Sequence, residues 1–440
     1  MKLPAYPRYK HSGVAWLGDV PEHWEVKRLS YLATLKSGEN ITSEMIAEDG
    51  DYPVYGGNGL RGNYHKFTHR GHHALIGRQG ALCGNINYAS GEFWASEHAL
   101  VVSPLKEFAV GWMGELLRAM NLGQYSATAA QPGVAAEIIR GLRIPVPPLP
   151  EQRTIAAFLD REMGLVDRLV AKKRELIERL KEKRTALISR TVTRGLPPAV
   201  ARAAGFPAKP PLKPSGVEWL GDIPKHWQLV PLGYLVRLSG GATPDKSNAA
   251  FWDGSIPWVS PKDMKVARIA DAEDHVSPEA LANSALRLMP IGSVLIVVRG
   301  MILAHSFPVA LTTAPVTINQ DMKAVECRER VTPHFLAWLF AGFAKTFVSF
   351  ADESAHGTRK LETGTLTRFP ILLPPLPEQA TIGAYLDEET AKLDALVGKV
   401  EEAVERLQEY RTALITAAVT GKIDVRGATS LGSKGRRHEN

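Results

Sequence analysis

Residues that could do chemistry fall into two groups. The first could hold a metal. His65, His69, His72 and His73 lie within nine residues, and Cys83 follows ten residues later. Their spacings fit no standard zinc template, so a solvated basic loop beside phosphate is the preferred reading. Pro244-Asp245 followed by Asp263-Met264-Lys265 matches the PD…(D/E)xK pattern of many nucleases. Two carboxylates holding Mg²⁺ beside a lysine could activate water for phosphodiester cleavage. The pattern is permissive, and chance matches to it are common. Other catalytic signatures are missing. The sequence has no GxxxxGK[ST] phosphate loop, no HExxH, no GxSxG, no DFG and no [DN]PP[YF].

The second group could read nucleic-acid bases. Asn58, Arg61, Arg78, Gln79 and Gln131 in the first third of the chain are of this kind. So are Arg299, Asn319, Gln320, Thr358, Arg359 and Lys360 further on. Arginine pairs with guanine, and asparagine or glutamine with adenine, in the major groove. Both inserts look rich in short strands and turns: ALIGRQGALCGNINY and EHALVVS in the first, and SIPWVSP, GSVLIVVRG and LTTAPVTINQDMKAV in the second. A helix over Thr332 to Val348 is expected to back the second sheet.

What positions these segments is a repeat. Residues 12–24 and 215–227 agree at ten of thirteen positions, and residues 147–160 and 374–387 at eleven of fourteen. RTALI recurs at 184–188 and 411–415. Each half is a short opening motif, an insert, and a PPLPEQ segment that runs into a helix. The inserts, 25–146 and 228–373, share little sequence by eye. Their net charges are 0 (eleven basic, eleven acidic) and +1 (fourteen and thirteen). DNA binding would therefore need charge distributed unevenly over the surface.

After Pro150 no proline occurs until Pro197, and after Pro377 none occurs at all. Long helices over 151–194 and 378–421 are expected. Apolar residues at spacings of four and three suggest a coiled-coil seam through Val166, Leu169, Leu176, Leu180 and Leu187 in the first helix. In the second it runs through Leu393, Leu396, Val400, Leu407 and Leu414. The first window carries twelve Lys/Arg and seven Asp/Glu, +5; the second carries four and nine, −5. Opposite flanks favour pairing of the two helices within one chain, antiparallel, as a spacer of fixed length.

Composition agrees with a globular chain. Of 440 residues 45% are hydrophobic and 22% charged, and the net charge of +7 permits a nucleic-acid partner. Two distant cysteines fit a reducing cytoplasm, and no apolar run approaches the ~18 residues of a membrane span.

Taken together, the sequence resembles the specificity subunit of type I restriction–modification systems. The carriers are YPRYKHSGVAWLGDVPEHWEVKRL, SGVEWLGDIPKHW and both PPLPEQ-plus-helix segments. YGGNGLRG, LIGRQGAL, IPWVSPKDMK and VRGMILAHSFPVALTTAPVTINQDMKA add to them. The resemblance implies an α/β (α+β) chain with two globular target recognition domains, joined by two conserved helices in an antiparallel intramolecular coiled coil. It places the first recognition domain at 1–147 and the first helix at 148–196. A linker and the second recognition domain follow at 197–374, the second helix at 375–422, and a flexible basic tail at 423–440. It further implies a non-catalytic subunit that reads an asymmetric two-part target in double-stranded DNA. Two modification subunits would bind S-adenosylmethionine and methylate adenine N6. A restriction subunit, where the system has one, would bring ATP and Mg²⁺. The chain itself would bind no cofactor and no metal, and it would work in the cytoplasm.

Overall fold

A computed structural model describes residues 3–126, 132–353 and 357–428. The chain forms two compact units. Unit 1 comprises residues 1–174 and 401–440, and unit 2 comprises 175–400. The division falls inside both long helices, Leu149–Arg194 and Leu376–Val419. Each starts within two residues of the position expected from the proline pattern.

The repeated frame has a physical explanation in each unit. In unit 1 the strands Tyr9–His11 and Asp19–Pro21 form a small ribbon, followed by Trp24, which is fully buried. Glu151 of the first PPLPEQ is buried too. Its carboxylate accepts the Trp24 indole N–H at 3.1 Å and the Tyr6 hydroxyl at 2.6 Å, and it lies 2.8 Å from His23 Nε2. Burial and this hydrogen bond push the Tyr6 phenol well above its usual range. Unit 2 repeats the arrangement. Glu378 accepts from Trp227 at 3.1 Å and sits 2.8 Å from His226 Nε2. A buried carboxylate is tolerable only when it is hydrogen-bonded, and this is why Glu, His and Trp recur together.

The glutamine that follows anchors each insert to its helix. Gln152 Oε1 accepts from the backbone N–H of Ala109, at the start of the helix Val110–Ala119. Gln379 Oε1 accepts from Thr332 N–H, at the start of Pro333–Gly342. Each glutamine satisfies a donor that a helix start would otherwise leave unpaired.

The ribbons are capped from the far end of a long helix. In unit 1 the cap comes from the end of the chain. The Tyr9 hydroxyl donates to Gly421 O at 3.0 Å, and Lys422 Nζ to Leu17 O and Asp19 O. Gly421 ends the helix with φ +75, and a Cβ there would run into Pro21. Asp424 N–H then bonds Pro4 O at 2.8 Å, Val425 is fully buried and Arg426 lies over the Tyr6 ring. The expected flexible tail is therefore packed as far as Ala428, because it closes the N-terminal layer; residues beyond lie outside those described. In unit 2 the corresponding Arg194 donates to Asp222 O.

Inside each unit the two long helices meet antiparallel. Arg411 pairs with Asp167 at 3.0 Å in unit 1, and Arg184 with Asp394 at 2.9 Å in unit 2. The expected seam needs correction. Val166, Leu393 and Leu414 are buried, and Leu180, Leu187, Val400 and Leu407 are half-buried. Leu169, Leu176 and Leu396 are 43–48% exposed and do not form an interface core. Buried positions instead recur eleven residues apart, at Ile155, Val166, Ile177 and Ile188. An 11-residue period is about 3.67 residues per turn, close to the 3.6 of an α-helix, so these positions share one face. A heptad seam drifts off that face.

The inserts, dissimilar in sequence, share one skeleton. In unit 1 the strands Ala33–Ser37, Ala99–Pro104, His69–Gly77 and Ile86–Ala95 neighbour one another in that order, all antiparallel. In unit 2 Val236–Gly240, Met322–Cys327, Val294–Val297 and Val309–Thr312 do the same. The registers coincide. Leu35 faces Val102 and Val102 faces Ala74; Leu238 faces Val325 and Val325 faces Val294. The offset between units thus rises from 203 (35 to 238) through 220 (74 to 294) and 223 (102 to 325) to 227 at PPLPEQ. Seventeen of the 24 extra residues precede the third strand. The segment they lengthen holds the strands Ile256–Val259 and Asp274–Val276 and the short helix Pro278–Asn283. Trp112 and Phe335, both fully buried, occupy the same point of the backing helices. The expected helix from Thr332 to Val348 is observed as Pro333–Gly342 and Ala344–Ser349, with Thr332 as N-cap.

Candidate nucleic-acid interface

Three segments converge at one end of the shared sheet in each unit. Backbone N–H groups of Arg78 and Val298 donate, both at 2.8 Å, to the carbonyls of His98 and Asp321 in the turn between two strands. Backbone N–H groups of Val134 and Leu361 donate to the carbonyls of Arg78 and Val298 at 2.9 and 2.8 Å. Gln79 bridges to Gly133, and Arg299 pairs with Lys360. These bonds place Glu97 where unit 2 has Gln320, His98 where it has Asp321, and Gln79 where it has Arg299. Glycine makes the turn possible. A Cβ on Gly38 would strike the carbonyls of Ala95 and Ser96, and one on Gly241 those of Ile318 and Asn319.

In unit 1 the hairpin joining Tyr52–Gly56 to Gly59–Tyr64 lies against this end. A Cβ on Gly57 would stand 3.1 Å from both Gln79 O and His98 O. Asn58, at the tip, and Gln79 are exposed, as is Arg61 on the outgoing strand. Arg78 is half-buried and donates to Ser37 Oγ at 2.9 Å. Gln131 lies outside the described residues. The structure thus gathers Asn58, Arg78 and Gln79, with Arg61 alongside.

In unit 2 Arg299, Arg359 and Lys360 are brought onto one small sheet beside Thr358. Arg299 Nη1 stands 3.9 Å from Asp321 Oδ1, and Lys360 Nζ 2.6 Å from Glu362. Gln320 is exposed, and its amide oxygen accepts from the Thr243 hydroxyl. Asn319 departs from expectation. It is 6% exposed and its Oδ1 accepts Asp321 N–H at 3.1 Å, so it shapes the turn rather than facing a ligand.

Sequence reasoning missed three residues at this end of unit 1. Asn87 Nδ2, Glu97 Oε2 and His98 Nδ1 are buried atoms that make no hydrogen bond within the protein. Asn87 lies beneath the hairpin, its Oδ1 3.1 Å from where a Gly59 Cβ would stand. The signal was faint: Ser96-Glu97-His98 corresponds to Asn319-Gln320-Asp321, but only the strand register shows it.

The residues once considered for catalysis have other partners. Asp263 Oδ2 accepts from Ser260 N–H and its hydroxyl, and Oδ1 from Glu273 N–H at 3.0 Å. It closes a capping box. Asp245 accepts from Ser247, which holds its carboxyl below the usual range. His72 stacks on Tyr88 and His69 on Phe93. Among the described residues no three His, Cys, Asp or Glu side chains are grouped to hold a metal. Burial pushes the Cys327 thiol up to about 12, the opposite of what a nucleophile requires. No described helix is long and apolar enough to cross a membrane.

Comparison with known proteins agrees with this architecture. A chain solved in a study of complex assembly and conformational transition of the type I R-M system superposes with a TM-score of 0.68. It covers 92% of this chain and 99% of its own at 19% identity, a likeness of fold. The Escherichia coli type I restriction enzyme EcoprrI specificity subunit is 42% identical over 165 residues, 37% of this chain and 41% of the relative. The EcoR124I/EcoR124II specificity subunit of Escherichia coli is 35% identical over 181 residues, 41% of this chain and 44% of the relative. These alignments therefore span about two-fifths of the relatives' length. The putative MjaX specificity subunit of Methanocaldococcus jannaschii aligns over 93% of this chain and 96% of its own at 22% identity. The profile of the type I restriction modification DNA specificity domain matches residues 21–179 and 224–406, one stretch in each half of the frame. Since these matches cover most of the chain, it belongs to the type I restriction modification DNA specificity domain family.

Proposed function

We propose that this chain is the sequence-reading subunit of a type I restriction–modification complex, with each unit reading one half of an asymmetric two-part DNA target. One observation carries the reading. The two inserts keep the same strands, register and turn, yet differ in side chain where the segments converge: Glu97 against Gln320, His98 against Asp321, Gln79 against Arg299. A shared scaffold with different polar groups at its tip suits two readers of different sequence. Identical readers on a two-fold axis would read a palindrome.

The chain supplies recognition and no chemistry. The carboxylates of the nuclease-like pattern are spent on caps and turns, which supports this assignment. Two modification subunits dock on it, bind S-adenosylmethionine and methylate adenine N6. A restriction subunit, where present, adds ATP- and Mg²⁺-dependent translocation and cleavage. The working compartment is the cytoplasm, where the DNA is.

The test is an exchange of residues 25–146 for the corresponding insert of a relative. The native and exchanged chains are each assembled with modification subunits, and adenine methylation is mapped by single-molecule sequencing. One half of the methylated sequence should change and the other stay. A change in both halves, or no sequence preference at all, would refute the assignment.

A further inference from the structure

We propose that Gln320 reads one adenine in the half-site of unit 2, and that the Thr243 hydroxyl positions its amide for that task. The inference rests on the DNA-reading role proposed above and names a base and a positioning residue within it.

The backbone sets both residues. Gln320 lies in the turn between the strands Thr317–Ile318 and Met322–Cys327. Asn319 Oδ1 accepts Asp321 N–H at 3.1 Å, and Asp321 O accepts Val298 N–H at 2.8 Å and Arg299 N–H at 3.2 Å. The segment carrying Thr243 is tied to the same turn. Ala242 N–H donates to Ile318 O at 3.0 Å, and Ala242 O accepts the Trp258 indole N–H at 2.9 Å. Thr243 precedes Pro244, which holds its backbone extended. A reading side chain needs such a fixed support.

Gln320 itself is exposed. Its Oε1 accepts the Thr243 hydroxyl, and its amide N–H groups donate to nothing among the described residues. The hydroxyl takes one of the two lone pairs of Oε1 and fixes the plane of the amide. One lone pair and, beside it in that plane, an N–H donor are left free. The major-groove edge of adenine, an N7 acceptor next to the N6 amine, matches both. Guanine offers two acceptors, and its O6 would face the amide oxygen. Thymine offers an acceptor and a methyl group, and cytosine an amine alone. Only adenine fills the donor and the acceptor together. Unit 1 differs at both places. Glu39 N–H donates to Ala95 O at 2.9 Å as Ala242 N–H does to Ile318 O, so Asn40 stands where unit 2 has Thr243. Glu97 stands where it has Gln320, with His98 Nε2 3.0 Å from its carboxylate. The adenine reader is thus confined to unit 2, as an asymmetric target requires.

The experiment uses the full chain assembled with its modification subunits. Wild type, Gln320→Ala, Thr243→Val and Thr243→Ser select from a DNA library randomised across both half-sites, and the bound molecules are sequenced. Gln320→Ala should lower the preference for adenine at one position of one half-site by roughly 5- to 150-fold. Thr243→Val should lower it at the same position by roughly 2- to 10-fold. Thr243→Ser, which keeps the hydroxyl, should restore it, and the other half-site should stay unchanged. Placing 7-deazaadenine at that position removes the N7 acceptor. It should weaken binding by wild type and leave Gln320→Ala unaffected, a response that a merely structural role would not give. An unchanged consensus in Gln320→Ala overturns the proposal, as does a base other than adenine at the affected position. A uniform loss of binding to all DNA overturns it too, since it would make Gln320 a phosphate contact. Wild-type preference in Thr243→Val, or no recovery in Thr243→Ser, overturns the positioning role. A wild-type complex with no sequence preference overturns the underlying DNA-reading role instead, so the failures are distinguishable.

Discussion

The carboxylate of Glu378 accepts the indole N–H of Trp227 at 3.1 Å, and both residues are at least 96% buried. Glu151 and Trp24 stand in the same relation, also at 3.1 Å. This pairing ties each opening motif to the start of a long helix, across 127 positions of sequence in unit 1 and 151 in unit 2. Glu378→Leu would strand the indole N–H and the adjacent imidazole. It should cost about 1–3 kcal/mol, the desolvation penalty of an unpaired buried donor. Denaturant unfolding, following the buried Trp227 by fluorescence, checks this; an unchanged midpoint would make the pairing incidental.

Asp387 gives a pH signature in unit 2. Burial works against its charge, but hydrogen bonds from His334 and Trp338, with Arg268 at 2.9 Å, outweigh it and hold the carboxyl below the usual range. A folded pKa below the unfolded one contributes stability above the unfolded value, about 4, and loses it as pH falls through the folded value. Asp387→Asn should therefore be less stable than wild type at pH 7, and the gap should narrow below about pH 4. Unfolding midpoints at both pH values are the measurement, and a gap that widens on acidification would contradict it.

The two long helices offer a paired test of the buried face. Ile188 is 3% exposed within the unit 2 core, whereas Leu176 is 43% exposed. Ile188→Ala should cost about 2–5 kcal/mol, and Leu176→Ala no more than about 0.5 kcal/mol. Equal losses would restore the heptad seam that Leu176 was expected to join.

Arg299 and Gln79 occupy the same point of their units, so their substitutions should act on different halves of the target. Arg299→Ala should relax one position in one half-site by about 1–3 kcal/mol of discrimination, and Gln79→Ala one position in the other. Methylated-site sequencing of each variant provides the readout. Loss of binding without loss of preference would reassign these residues to phosphate contacts.

Much of this was legible in the sequence. The repeat, the proline-free helices and the PPLPEQ boundary are local signals: a missing proline or a shared motif needs no third dimension. Opposite charges on the two helices correctly indicated intramolecular pairing, because charge complementarity is a property of composition. Tertiary structure alone decided the rest. The correspondence of the inserts could not be seen, since seventeen extra residues before the third strand and seven after it break any fixed alignment, while hydrogen-bond register tolerates them. The buried face of the first helix follows an 11-residue period, and the heptad leucines Leu169, Leu176 and Leu396 fall off the buried face because a 3.5-residue repeat drifts around a helix of 3.6 residues per turn. Asn319 was expected to face a ligand, yet its side chain is used within the turn. Glu97 and His98 were overlooked because a carboxylate in a neutral insert carries no local signal. Only the fold brings Glu97 and His98 to the turn at the end of the sheet, with His98 Nε2 3.0 Å from Glu97 Oε1 and with Glu97 Oε2 and His98 Nδ1 buried without a hydrogen bond inside the protein.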